Sequence, residues 1–70
     1  MEKTYYIYCG VEMSDIMEFI KMIMEMCLSF EYDYEAGTIT VKGVCERLIN
    51  DIDGWLSNMD IDIHDTEEQI

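Results

Sequence analysis

The chain has 70 residues, and its 4 basic and 16 acidic residues give a formal net charge of −12. This length excludes a multidomain enzyme, and four cations neutralise too few phosphates for direct binding to DNA, RNA or anionic lipid. Half of the residues are hydrophobic, including five Tyr, two Phe and one Trp, whereas acidic disordered tails are poor in aromatic residues. We therefore expect one folded domain over residues 1–65 and a short acidic C-terminal tail over residues 66–70.

The first elements in chain order are a strand and a helix. Thr4–Cys9 is rich in Tyr and Ile, which predicts the first strand. Ser14 or Asp15 is placed to cap a helix, and Glu18 three residues after Asp15 completes a capping box. We expect this helix to continue to about Leu28.

A hairpin is predicted next. Three aromatic residues alternate with three acids, namely Phe30, Tyr32 and Tyr34 with Glu31, Asp33 and Glu35. This period of two is typical of a half-buried strand. Residues 35–37 supply a turn, and the alternating apolar residues of Thr38–Lys42 predict the return strand.

A second helix and a last strand complete the predicted domain. Within Val44–Met59 the apolar residues fall on one side of a helix, and Asp60–His64 alternates isoleucine with polar residues as strands do. The β-α-β-β-α-β order is that of a ferredoxin-like α+β sandwich, with a four-stranded antiparallel sheet of order 4-1-3-2 and two helices on one face. This fold hosts many unrelated activities, so it does not identify the function.

One face of that sheet remains uncovered, and the alternation places two acidic columns on it with tyrosines between them. The residues predicted to bind a partner are Glu31, Asp33, Glu35, Asp60, Asp62, Tyr6 and Tyr8. Same-face residues on a strand are about 6.6 Å apart, so the acids form regular rows that resemble nucleic-acid phosphates and attract a basic groove. The alternative interpretation is a solvated face whose acids provide solubility and protect the sheet edges.

The first helix offers a second predicted interface. Its apolar arc is wider than one sheet face covers, because several Met and Leu residues extend the core stripe of Ile16, Phe19, Ile20, Ile23 and Cys27. Methionine is flexible and common at adaptable binding surfaces. Met17, Met22 and Leu28 are therefore predicted to contact a partner or a second copy of the chain, and the alternative is that they fill gaps in a small core.

Catalytic and metal-binding patterns are weak. His64 is the one histidine, and no Ser or Cys stands at a spacing that implies pairing with it. Asp60, Asp62 and His64 share a predicted strand face, but a flat strand brings few ligands together. We therefore predict no enzymatic activity, no specific metal site and no cofactor.

The cysteines and the apolar segments indicate a compartment. Cys9, Cys27 and Cys45 are odd in number and lack a Cys-x-x-Cys pair, which argues against a disulfide framework or a zinc knuckle and fits a reducing cytosol. We expect them to be small buried apolar residues. The start of the chain shows no secretory leader, and Ile16–Phe30 is too short and too charged to span a membrane. These features predict a cytoplasmic protein.

Together the patterns predict a small acidic, non-enzymatic binding or inhibitor protein that engages a basic surface. The partner would be a nucleic-acid-handling protein whose site is blocked by charge mimicry. In size and acidity the chain resembles the small inhibitors that phages and mobile elements encode against restriction or CRISPR nucleases, a resemblance of composition alone. The alternative is a homo-oligomeric regulatory or assembly module that pairs through its Met-rich helix or its open sheet face.

Overall fold

The computed structural model describes residues 1–65, and the predicted tail over residues 66–70 lies outside them. The elements are, in order, β1 (Glu2–Ile7), α1 (Met13–Glu25), β2 (Ser29–Asp33), β3 (Thr38–Lys42), α2 (Glu46–Met59) and β4 (Ile63–His64). The fold is α+β, and the ferredoxin-like β-α-β-β-α-β order predicted from the sequence is confirmed.

The four strands form one antiparallel sheet of order β2-β3-β1-β4, which is 4-1-3-2 when it is read from the other edge. In its centre Ile39 on β3 lies between Tyr5 on β1 and Tyr32 on β2. The next pair on the same face of β2 and β3 joins Phe30 to Val41. The aromatic and β-branched residues that alternate in the sequence therefore meet on one face of the sheet.

Both helices cover that face, and one hydrophobic core fills the space between the layers. The rings of Tyr5 and Phe19 meet edge to face at a centroid distance of 5.6 Å, and Phe19 lies 6.0 Å from the ring of Trp55 on α2. These contacts join the sheet to α1 and α1 to α2. The buried core residues are Tyr5, Ile16, Phe19, Ile23, Ile39, Val41, Val44, Ile52, Leu56, Ile61 and Ile63.

The first turn of α1 differs from the prediction. The helix begins at Met13 with Glu12 as its N-cap residue, and no side chain among residues 1–65 caps its amides. The predicted capping box of Asp15 and Glu18 is therefore wrong, because Asp15 already lies inside the first turn. Its carboxylate still favours the helix there through the positive end of the helix dipole.

The C-terminal end of α1 is closed by a backbone turn that the sequence did not reveal. Cys27 adopts the left-handed conformation with φ of 60°. Its N–H donates to the carbonyl of Met24 at 3.0 Å, and the N–H of Leu28 donates to the carbonyl of Ile23 at 3.3 Å. This pair of bonds is a Schellman motif, and it ends the helix before the predicted Leu28.

The end of α2 repeats this arrangement and shortens the last strand. Asp60 is left-handed, with φ of 55° and ψ of 45°, and the N–H of Ile61 donates to the carbonyl of Leu56 at 3.2 Å. The strand β4 then comprises Ile63 and His64. The predicted last strand was therefore too long, since its first residue instead terminates the helix.

The three cysteines lie at the ends of elements rather than in the core. Cys9 follows β1, Cys27 follows α1 and Cys45 is the N-cap residue of α2, and all three are exposed. The prediction that they are buried apolar residues is wrong, and so is the place of Cys27 in the core stripe. Chain segments that leave a helix or strand run over the surface, and these side chains go with them.

Candidate partner-binding surface

The sheet face opposite the helices is called the open face. Side chains alternate along a strand, so the neighbours of the buried Tyr5, Ile39 and Val41 point away from the core. The hydroxyl oxygens of Thr4 and Thr40, 3.1 Å apart, show this alternation directly. The strand residues of the open face are Glu2, Thr4, Tyr6, Ser29, Glu31, Asp33, Thr38, Thr40, Lys42 and His64.

The strand register places an acid and a histidine at opposite ends of one row. Across the sheet this row consists of Asp33, Thr38, Tyr6 and His64. Adjacent strands lie about 4.8 Å apart, so the row spans about 14 Å. Tyr6 is half-buried and stands between the two ends. The strand register therefore places a tyrosine near the centre of the open face and an acid at its β2 edge.

On the β4 side, Tyr8 and His64 form an aromatic pair beside Asp62. The ring centroids of Tyr8 and His64 are 4.6 Å apart, and His64 Nε2 lies 3.7 Å from Asp62 Oδ1. The backbone continues the sheet here, since the N–H of Tyr8 donates to the carbonyl of Asp62 at 3.0 Å. The structure therefore brings together Tyr6, Tyr8 and Asp62, three of the residues predicted from the sequence.

On the β2 side, the acids have local partners. Lys42 Nζ lies 3.3 Å from Glu31 Oε2, so one of the few cations offsets part of the acidic edge. Asp33 Oδ1 accepts a hydrogen bond from the N–H of Ala36 at 3.0 Å, which fixes the turn between β2 and β3. Glu35 lies exposed in that turn, beyond the end of the strand. Asp33 therefore has a structural role in addition to its charge.

Asp60 lies outside the strands of the open face because it ends α2. It lines a groove of about 310 Å³ between α2 and β4, together with Asp53, Asp62 and Asp65. Asp53 was not among the residues predicted to bind a partner, although it stands seven residues before Asp60 and so on the same side of the helix. Among residues 1–65, no group of three or more His, Cys, Asp and Glu side chains is arranged to hold a metal ion.

The predicted secondary interface on α1 is only partly at the surface. Met17 is 59% exposed, whereas Met22 and Leu28 pack against the core. Leu28 directly follows the left-handed residue of the Schellman motif, a position where an apolar residue is common. Met24, which is 62% exposed, lies beside Met17 in a shallow apolar groove instead.

Most of the negative charge belongs to the described part of the chain. Residues 66–70 contain two of the 16 acids, Glu67 and Glu68, so 14 acids lie in residues 1–65. In that same range, neither helix is long and apolar enough to cross a membrane. Comparison of the chain with protein-family models, curated proteins and solved structures found no match.

Proposed function

We propose that the protein is a small acidic, non-enzymatic binding protein that captures a basic surface of a partner protein through its open face. The observation that carries the proposal is the arrangement of Glu31 and Asp33 at one edge, Asp62 at the other, and Tyr6 and Tyr8 between them. Tyrosine is enriched among the residues that dominate binding energy, and rim charges accelerate association with an oppositely charged partner.

The size of the net charge supports a binding role. A net charge of magnitude 2 to 8 is enough to keep a small domain soluble, whereas this chain carries −12. The excess opposes folding through self-repulsion. A groove that binds nucleic acid is rich in Lys and Arg, so the partner we propose is a nucleic-acid-handling protein whose site is blocked, as by the phage-type inhibitors that the composition resembles.

Two neutralised variants test the proposed surface. The first is Glu31→Gln, Asp33→Asn and Glu35→Gln, in which the side-chain amide introduced at position 33 retains an oxygen acceptor for the N–H of Ala36. The control is Glu18→Gln, Glu25→Gln and Asp51→Asn on the exposed sides of the helices. Each variant loses three negative charges, so both change the net charge from −12 to −9.

Association with a fluorescent octalysine peptide is then measured by stopped flow at low and moderate salt. We expect the open-face variant to associate several-fold more slowly than the control at low salt, and the difference to shrink as salt screens the charges. Equal rates for the two variants would remove the open face as the capture surface. Capture of basic proteins from a lysate, and their release by short duplex DNA, then tests the class of partner.

A second candidate function is a homo-oligomeric assembly module. Met13, Met17 and Met24 are each more than half exposed on α1, and the last two border an apolar groove. Two copies would bury these side chains against each other. Light scattering after size exclusion separates the two functions, because a monomer at every concentration excludes self-association.

We also propose a cytoplasmic location. Cys9, Cys27 and Cys45 all lie within the described residues, where they are exposed and no disulfide joins them. Exposed thiols persist in a reducing compartment and oxidise in the secretory pathway. Fractionation of cells that express the protein, followed by thiol alkylation, tests this location.

A further inference from the structure

The strand β2 has a free edge. Within residues 1–65 it pairs with β3 on one side, and no strand lies on its other side. The direction of its backbone groups follows from the register. The N–H of Ile7 donates to the carbonyl of Gly37. In β3 the backbone N–H and C=O groups of every second residue after Gly37 therefore point toward β1, and those of Thr38 and Thr40 point toward β2.

The partners of those threonines identify the outward residues of β2. Asp33 and Glu31 stand opposite Thr38 and Thr40, so their backbone groups bond to β3. The N–H and C=O groups of the intervening residues, Phe30 and Tyr32, then point away from the sheet. An added strand would find its main-chain partners there.

The side chains along this edge differ between the two faces. Glu31 and Asp33 lie on the open face, whereas Phe30 and Tyr32 are half-buried on the helix-covered face. Tyr34 continues the aromatic side, with 76% of its surface exposed and its ring centroid 6.3 Å from that of Tyr32. An incoming strand would therefore meet carboxylates on one face and aromatic rings on the other.

The carboxylates along the edge of β2 favour an added strand of positive charge over a second copy of the chain. A second copy paired through the same edge would bring its own Glu31 and Asp33 against those of the first, and like charges across a strand pair are destabilising. Cationic side chains at alternate positions would instead meet the carboxylates directly. The acids thus protect the edge from self-pairing while leaving it open to a strand of opposite charge.

We propose that the edge of β2 binds an extended segment of the partner protein as an added strand, with Lys or Arg alternating with apolar residues. Its main chain bonds to Phe30 and Tyr32, its cations lie beside Glu31 and Asp33, and its apolar residues contact the aromatic side. The inference rests on the proposed function and adds the conformation and sequence pattern of the segment that is captured.

Two synthetic peptides of equal charge test it. One has four Lys-Val repeats, and the other has four Lys-Pro repeats. In the proposed register the prolines would stand opposite Phe30 and Tyr32, where they lack the N–H that a pairing strand donates. Each is titrated into the full chain labelled with ¹⁵N, and amide hydrogen exchange is followed by NMR. The Lys-Val peptide is expected to slow exchange at Phe30 and Tyr32 at least tenfold, and the Lys-Pro peptide to leave both amides unchanged.

A backbone variant keeps the test independent of side-chain packing. Chemical synthesis with an ester in place of the Tyr32 amide removes the outward N–H and retains the ring. We expect this ester to weaken the Lys-Val peptide about fivefold and to leave the Lys-Pro peptide unaffected. An ester at Arg47, in the first turn of α2, serves as the control.

The other outcomes overturn the inference in distinguishable ways. If both peptides bind equally and neither protects Phe30 or Tyr32, strand addition is wrong while charge capture by the open face stands. If neither peptide binds, both the inference and the proposed function fail. Protection that grows with protein concentration in the absence of peptide would make a second copy of the chain the occupant.

Discussion

The hydroxyl of Tyr5 donates a hydrogen bond of 3.2 Å to Asp53 Oδ1, which links the middle of the sheet to α2. Burial raises the pKa of Tyr5 above its ordinary value near 10, and the negative charges of Asp53 and Asp65 and the hydrogen bond to Asp53 raise it further. The folded state therefore favours the neutral phenol. Its contribution to stability is complete below about pH 10, and it is lost as the pH rises toward the higher pKa of the folded state.

Replacing the Tyr5 hydroxyl should show how much it contributes to stability at neutral pH and at alkaline pH. Tyr5→Phe should lower the free energy of unfolding at pH 7 by about 1 kcal/mol, since one hydrogen bond is lost and the exposed Asp53 carboxylate regains water. Above pH 10 the variant should lose less stability than the parent, because Phe does not ionise. Urea unfolding between pH 7 and 11 measures both effects. Tyr34→Phe is the control, and an identical alkaline loss in all three proteins would contradict the prediction.

The left-handed residue after α1 offers a gain in stability. An L-residue in this conformation costs about 1 kcal/mol relative to glycine, and Cys27 lies there with φ of 60°. Cys27→Gly should therefore stabilise the domain by about 1 kcal/mol and raise Tm by about 4–8 °C. Cys27→Ala is the matched control, because it removes the thiol and keeps the Cβ. Calorimetry that finds equal Tm values for the two variants would show that the backbone there is unstrained.

The same residue explains where the sequence failed to predict the fold. The strand Thr38–Lys42 matched its prediction because apolar alternation and a turn at Gly37 mark its limits in the sequence. The ends of the helices are instead closed by backbone bonds around Cys27 and Asp60. Neither is glycine, which is the residue type that most strongly marks a left-handed helix end in a sequence.

The candidate surface, like the fold, was predicted correctly only within the regular strands. Alternation alone places Glu31 and Asp33 on one face together with Tyr6, because each lies inside a regular strand. Asp60 was misplaced because it follows a helix end that the sequence does not mark. The contact between Lys42 and Glu31 depends on the diagonal register of two strands, which a period-two pattern does not fix.

Because the protein carries an excess of negative charge, we expect its Tm to rise with salt concentration. Its self-repulsion should be screened as NaCl rises from 10 to 150 mM, over which the Debye length falls from about 30 to about 8 Å. Tm should therefore increase, because exposed ion pairs such as that of Lys3 and Asp65 contribute little that salt could remove. Differential scanning fluorimetry measures the change. The neutralised variant at Glu31, Asp33 and Glu35 should respond less to salt, and a Tm of the parent that is independent of salt would rule out net repulsion.

The last prediction concerns a cation that lies against the acidic edge. Lys42 Nζ is 3.3 Å from Glu31 Oε2, so it offsets the field that a basic partner would meet on approach. Lys42→Gln should increase the association rate with octalysine about twofold at low salt, with less than about 1 kcal/mol of change in stability, because exposed ion pairs are weak. Lys21→Gln on the exposed side of α1 changes the net charge equally and should have a smaller effect. Stopped-flow rates that rise equally in both variants would mean that total charge, rather than the open face, steers the encounter.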